Sequence, residues 1–111
     1  MKLPIFDVGE MNDLLIFESK ELAEKYIEPI DLANGNVRLF DSEGRLLDAV
    51  PNPKSTSIII SENDFEPKHS EELKSQIIKF LLMVNDCMHE NDLREKSLDA
   101  LVQITLKYKI T

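Results

Sequence analysis

The spacing of the apolar residues changes near residue 70, and this change most strongly limits the folds open to the chain. Before it, short apolar runs of strand-forming residues alternate with turn residues. After it, apolar residues recur every three or four positions, which is the period of a helix. The sequence therefore predicts strands and one short helix in the first two-thirds of the chain, and helices alone in the last third.

Four runs rich in strand formers predict strands in residues 13–18, 37–40, 46–50 and 56–61. The DSEG turn at 41–44 predicts a hairpin, which Gly44 closes in the left-handed conformation. Because Ile58, Ile59 and Ile60 are consecutive, the last strand is apolar on both faces, and we expect it to be central or covered on both sides.

Caps and apolar stripes predict three helices. The first is short, begins after Ser19 and buries one face, formed by Leu22, Ala23, Tyr26 and Ile27. The second is capped by Ser70 and carries an apolar stripe as far as Met88. The third opens with Asp92 and Glu95 at capping-box spacing. The predicted order, β-α-β-β-β-α-α, indicates a single α+β domain of residues 1–111, in which two longer C-terminal helices and one short helix pack on an antiparallel or mixed sheet of about four strands.

Composition excludes several kinds of protein. An apolar fraction of 42% in 111 residues suffices for one core without a cofactor or disulfide. The single cysteine, Cys87, permits neither an internal disulfide nor a zinc site built from thiolates. The longest apolar run, residues 80–84, is too short for a membrane span, and the first residues lack a signal-peptide pattern. We expect a cytoplasmic protein that does not bind membranes.

The charge is unevenly distributed along the chain. Its 21 acidic and 13 basic residues give a net charge of −8. Residues 1–72 carry a net charge of −9, whereas residues 73–111 carry +1. This sign disfavours binding to nucleic acid, because that binding relies on neutralising phosphates. A basic protein surface is a more suitable partner, although charge that only maintains solubility explains the acidity equally well.

Six carboxylates lie in or near the hairpin and the loop after the isoleucine strand. We interpret them as candidate partner-binding residues that present anions to a basic groove: Asp41, Glu43, Asp48, Glu62, Asp64 and Glu66. The alternative is a solvated sheet edge whose charge discourages aggregation.

Residues suited to catalysis or metal binding are sparse. Cys87 and His89 are too close in sequence to share one helix face, and the acids beside Cys87 disfavour its thiolate. Asp64, Glu66 and His69 supply only part of a metal-dependent hydrolase site, so that hypothesis ranks last. We therefore predict no catalytic residue, no metal site and no cofactor.

Residues 13–50 (DLLIFESKELAEKYIEPIDLANGNVRLFDSEGRLLDAV) resemble a segment of small bacterial immunity proteins from polymorphic toxin and contact-dependent growth inhibition systems. The shared features are the strand ending FES, the helix ending YIEPID, the NG turn and the hairpin LFDSEGRLL. Phe40 provides the aromatic residue that often precedes the hairpin turn. The resemblance covers about a third of the chain.

The resemblance implies a protein that binds and neutralises a cognate toxin in the cytoplasm and has no catalytic residues of its own. Together with the acidity, it indicates a toxin with a basic surface, such as a nuclease. The alternative is a non-catalytic accessory or self-associating domain of a larger complex.

Overall fold

A computed structural model describes residues 1–63, 65 and 67–111. In these residues it contains five strands, five α-helices and a final 3₁₀ turn, Leu106–Tyr108. The strands are β1 (Ile5–Val8), β2 (Leu14–Phe17), β3 (Leu39–Phe40), β4 (Leu47–Pro51) and β5 (Ile58–Glu62). The helices are α1 (Lys20–Tyr26), α2 (Pro29–Ala33), α3 (Ser70–Val84), α4 (Glu90–Arg94) and α5 (Leu98–Thr105). The predicted α+β class is confirmed.

The described strands form two antiparallel sheets instead of one sheet of about four strands. A three-stranded sheet has the order β2-β1-β3, and a separate hairpin pairs β4 with β5. The central strand, β1, was missed from the sequence, because it spans only four residues and Asp7 interrupts its apolar pattern. Its neighbours pair in register, with Phe6 opposite both Ile16 and Phe40.

The three-stranded sheet is covered on both faces. Since side chains alternate along a strand, Phe6, Ile16 and Phe40 point to one face and contribute to an apolar cluster with α3, α4 and α5. Ile5, Phe17 and Leu39 belong to a second apolar cluster, which contains residues of α1, β4 and β5. The described part of the chain therefore forms three layers. The helical layer contains α3, α4 and α5, the three-stranded sheet lies in the middle, and the mixed layer contains α1, β4 and β5.

The helical layer differs from the prediction in where its helices begin and end. Ser70 does not cap α3 but is its first residue, and its hydroxyl donates a hydrogen bond to the Glu43 carbonyl at 2.8 Å. The helix ends at Val84 rather than Met88, because Asn85 takes an extended conformation.

Asp92 and Glu95 do not open the last helix, since Asp92 lies within the short α4 and Glu95 ends it. The last helix, α5, is capped by Ser97, whose hydroxyl accepts a hydrogen bond from the Ala100 N–H at 3.2 Å.

In the mixed layer, the serine cap of α1 and the glycine of the DSEG turn follow the prediction. The Ser19 side chain caps α1 by accepting a hydrogen bond from the Leu22 N–H at 3.1 Å. Gly44 has a φ of 87°, as the predicted turn requires. The hairpin predicted across this turn is wrong, because β3 pairs with β1 and β4 pairs with β5, and among the described residues only a single bridge, Phe40 to Leu46, joins the two segments.

The expectation for β5 is wrong, because Ile58 and Ile60 are buried while Ile59 remains 40% exposed. The β4–β5 hairpin covers the sheet with one face and turns the other face to solvent.

Candidate functional site

Asp41 has a structural role rather than a place on the surface. It is buried, and its Oδ1 accepts hydrogen bonds from the backbone N–H groups of Glu43 at 2.9 Å and Arg45 at 3.0 Å. These bonds satisfy backbone donors in the DSEG turn. The prediction that Asp41 contacts a partner is therefore corrected.

Glu43 is at the surface, but a neighbouring base balances its charge. The Lys68 Nζ lies 2.7 Å from its Oε2. The pKa of Glu43 lies below its ordinary value because Lys68 donates this hydrogen bond and attracts the negative charge. Its exposed ion pair weakens any direct attraction between Glu43 and a basic partner.

Glu62 is also paired, and two further candidates lie outside the described residues. The Glu62 carboxylate contacts the amino group of Met1. It stands at the end of β5, directly opposite Leu47. Asp64 and Glu66 are the two candidates whose placement the structure does not describe.

Asp48 occupies the solvent-facing side of the β4–β5 hairpin. Antiparallel register places it opposite Ser61 and places Val50 opposite Ile59. Because cross-strand partners share a face, these four residues form one surface, which we call the outer hairpin face. Val50 is 53% exposed and Ile59 is 40% exposed. Within the described chain, no base forms an ion pair with Asp48.

A second exposed apolar region lies where α1 meets α2, and it was missed from the sequence. Tyr26 is 50% exposed, although the helical pattern predicts it on the buried face, and Ile30 is 61% exposed. Both line a cleft of about 530 Å³ together with Lys25, Glu28, Pro29, Ser55 and Thr56. The helical pattern assigns Tyr26 to the core and gives Ile30 no role, so the sequence does not indicate an exposed apolar surface at this corner.

Asp7 is a buried carboxylate on the central strand. It is 8% exposed, and its Oδ1 accepts a hydrogen bond from the Arg38 N–H at 3.3 Å. The pKa of Asp7 is raised to about 6, chiefly because burial removes water from the carboxylate, and nearby Asp31 and Asp13 raise it further. The Arg38 hydrogen bond opposes this increase.

The Arg38 guanidinium is directed away from Asp7 toward a different carboxylate. Its Nη1 and Nη2 contact the two carboxylate oxygens of Glu72 at 2.6 and 2.8 Å. It also lies over the Phe40 ring, 5.2 Å from the centroid. This bidentate pair links the β3 region to the first turn of α3.

Cys87 and His89 do not lie on a helix, contrary to the prediction. They belong to the segment between α3 and α4 and line a cleft of about 570 Å³ with Asp92. His69 precedes α3, with its ring edge-on to Phe40 at 6.4 Å between centroids. Across the residues that the structure describes, no group of three or more His, Cys, Asp or Glu side chains is arranged to hold a metal ion.

The two outer layers of the fold differ in charge, because the acidic and basic residues are unevenly distributed along the chain. Residues 70–111, which build the helical layer, contain seven acids and six bases. Residues 18–37, which build α1 and α2 on the opposite side, contain five acids and two bases. Part of the negative charge therefore lies on α1 and α2, which contain none of the six carboxylates predicted to bind a partner.

Comparisons with family models, with curated proteins and with solved structures gave no match. In the described residues, no helix combines the length and apolar character needed to cross a membrane.

Proposed function

We propose that the chain is an immunity protein that binds a cognate bacterial toxin domain in the cytoplasm and blocks its active-site groove. The toxin in this proposal is a nuclease whose groove is basic because it binds nucleic acid. The chain performs no reaction of its own. It acts by occupying the groove.

The observation that carries this proposal is the composition of the outer hairpin face. It combines an exposed apolar pair, Val50 and Ile59, with the carboxylate of Asp48, which forms no ion pair with any residue that the structure describes. Protein interfaces commonly surround an apolar centre with polar residues. The apolar pair supplies contact area, and the carboxylate attracts a base on the toxin.

Negative charge outside the helical layer supports the same partner. Residues 1–69 contain 14 acids and seven bases, a net charge of −7. Such a field speeds the encounter with a basic surface and slows the encounter with acidic ones. A protein that must inhibit a toxin before it reaches nucleic acid benefits from this faster association.

The proposal is tested by expressing the product of the neighbouring gene, alone and together with the chain. We expect this product to contain a toxin domain that arrests growth when expressed alone, the chain to restore growth, and the two purified proteins to form a complex. A neighbouring gene product that neither arrests growth nor binds the chain would overturn the proposal.

Asp48→Lys tests the outer hairpin face, and Asp86→Lys is the matched control. Both aspartates are exposed, and neither forms an ion pair within the described chain. Both substitutions change the net charge equally, but Asp86 follows α3 in the helical layer. We expect Asp48→Lys to slow association with the toxin domain by about fivefold at low salt, and Asp86→Lys to slow it much less. Stopped-flow fluorescence measures both rates, and equal rates for the two variants would remove this face from the interface.

Self-association is the competing function, because an exposed apolar pair also suits contact between two copies. The net charge of −8 opposes it through repulsion between copies. A dimer that forms with increasing concentration in light scattering, and that Val50→Ser abolishes, would favour this alternative.

A further inference from the structure

The cleft between the α1–α2 corner and the tip of the β4–β5 hairpin has the properties of a second contact surface. Tyr26 is the last residue of α1, and its ring packs on Phe17 with 5.4 Å between centroids. That contact holds the ring in place, yet half of the side chain is exposed to solvent. A held, half-exposed tyrosine can contact a partner with little further loss of conformational freedom.

Ile30 forms the other apolar wall and has no role in the core. It belongs to α2, a five-residue helix in which no residue is buried. Exposing 61% of an isoleucine side chain leaves favourable apolar burial unused. A partner side chain placed against Ile30 and Tyr26 would recover that burial.

The charge around the cleft indicates the sign of the partner. Glu28 lines the cleft, and Glu21 and Asp31 lie on the same two helices. Throughout the described residues, none of these three carboxylates forms an ion pair. Lys25, also in the lining, balances the charge of Glu28 there. The negative charge of this region therefore comes from residues outside the lining, since residues 18–37 contain five acids and two bases. A partner with a positively charged surface suits this region.

The cleft borders the outer hairpin face, which we propose to contact the toxin. Ser55 and Thr56, which line it, belong to the turn that joins β4 to β5, and the outer hairpin face lies on those same two strands. One partner can therefore contact the hairpin face and the cleft together.

We infer that this cleft receives a loop of the toxin domain, which inserts one apolar side chain between Tyr26 and Ile30 and places a lysine or arginine against Glu28. This inference rests on the proposed function and names the second part of its interface. In the interface that we infer, the cleft provides most of the binding energy, because a few buried contacts, often with tyrosine, supply most of the binding energy of a protein interface. The outer hairpin face mainly steers association.

Ile30→Ser is the first test, with Met83→Ser as its matched control. Met83 is also a large exposed apolar residue on a helix, but it lies on α3 in the helical layer. We expect Ile30→Ser to raise the Kd for the toxin domain tenfold or more through faster dissociation, and Met83→Ser to change it less than about twofold. Surface plasmon resonance with the purified toxin domain measures both.

Tyr26→Ala and Glu28→Gln extend the test to the other two contacts. Since Tyr26 packs on Phe17, its replacement could affect folding, so the tyrosine variant is interpreted only if its unfolding transition matches that of the wild type. Glu28 has no side-chain capping bond at the start of α2, so Glu28→Gln leaves the helix intact. We expect Glu28→Gln to slow association with the toxin domain by about threefold.

The outcomes separate this inference from the function it rests on. If wild-type chain and Ile30→Ser bind the toxin domain equally tightly, the cleft is not in the interface and the proposed function stands. If the wild-type chain does not bind the toxin domain at all, both the function and the cleft assignment fail.

Discussion

Asp7 is a residue whose charge conflicts with its position. It points from the central strand toward the layer formed by α1, α2 and the hairpin, on the same face as Ile5, Leu15 and Leu39. A carboxylate there loses hydration on folding and gains, from the residues that the structure describes, one hydrogen bond, donated by the Arg38 N–H. Protonation relieves this conflict, so the folded state binds a proton more tightly than the unfolded state.

Asp7→Asn should therefore stabilise the protein in a pH-dependent manner. The folded-state pKa of about 6 exceeds the ordinary value of 3.8, so the stability contributed by the proton is present at low pH and is lost as the pH rises through about 6. Asparagine keeps the acceptor for the Arg38 N–H without the charge. We expect a gain on the order of 1–3 kcal/mol at pH 7.5 and about 0.5 kcal/mol or less at pH 4.

Urea unfolding of the variant and the wild type at both pH values measures this difference. Asp48→Asn is the control, because that aspartate is exposed on the outer hairpin face. A gain for Asp7→Asn that is the same at pH 4 and pH 7.5 would contradict the explanation by ionisation.

At the scale of elements, backbone and side-chain bonds between distant segments hold the hairpin in place. The Glu24 side chain on α1 reaches the hairpin, where its Oε2 accepts a hydrogen bond from the Ile60 N–H at 2.8 Å. This bond satisfies a donor on the outer edge of β5, where another strand would otherwise pair. At the DSEG turn, the Gly44 carbonyl accepts a hydrogen bond from the His69 N–H at 2.7 Å. The turn is thereby fixed against the start of α3.

Gly44→Ala should disrupt that junction, whereas Gly35→Ala should have a small effect. Both glycines have positive φ, 87° and 72°, so a side chain at either position strains the backbone. At Gly44, the added Cβ would also lie 2.7 Å from the Ser70 nitrogen, whereas nothing lies within 4 Å at Gly35. We expect Gly44→Ala to lower the free energy of unfolding by about 3 kcal/mol or more and Gly35→Ala by about 1 kcal/mol.

Thermal and chemical unfolding of the two variants tests this expectation directly. Equal losses of stability would mean that the backbone conformation alone matters and that the turn can move away from α3.

At the scale of the whole molecule, the three layers separate two kinds of surface. The helical layer is nearly neutral, and the opposite side carries the carboxylates of α1 and α2, the outer hairpin face and the cleft. A partner that binds the acidic side leaves the helical layer in solvent. Asp86→Lys and Met83→Ser, which change residues of the helical layer, are therefore suitable controls for the two binding experiments.

Salt should weaken the complex mainly through the association rate. Long-range attraction between an acidic surface and a basic one is screened at distances beyond about 10 Å at 0.1 M salt. Raising NaCl from about 0.05 to 0.5 M should slow association with the toxin domain by about tenfold and change dissociation by less than about threefold. Rates measured over this range that show no change in association would argue against electrostatic steering by the acidic side.

Local signals predicted a substantial part of this fold. The serine cap of α1, the left-handed glycine of the DSEG turn and the strands on either side of that turn depend on neighbouring residues, whose preferences the sequence displays directly. The strand β1 and the short α4 escaped prediction because both are short and neither has a strong periodic pattern. Four of the six predicted partner-binding residues lie in the described part of the chain, and of these only Asp48 is both exposed and unpaired.

The sequence by itself determined the α+β class and the unequal charge of its two parts, because composition and local periodicity do not depend on how the elements pack. Only the tertiary structure decided which side chains reach the surface. Asp41 is buried beside a segment 39 residues away, and Glu24 reaches a strand 36 residues away. Tyr26 and Ile59, both predicted to be covered, are exposed. The physical reason is that burial depends on which distant segments pack together, and the apolar pattern of one element does not specify its neighbours.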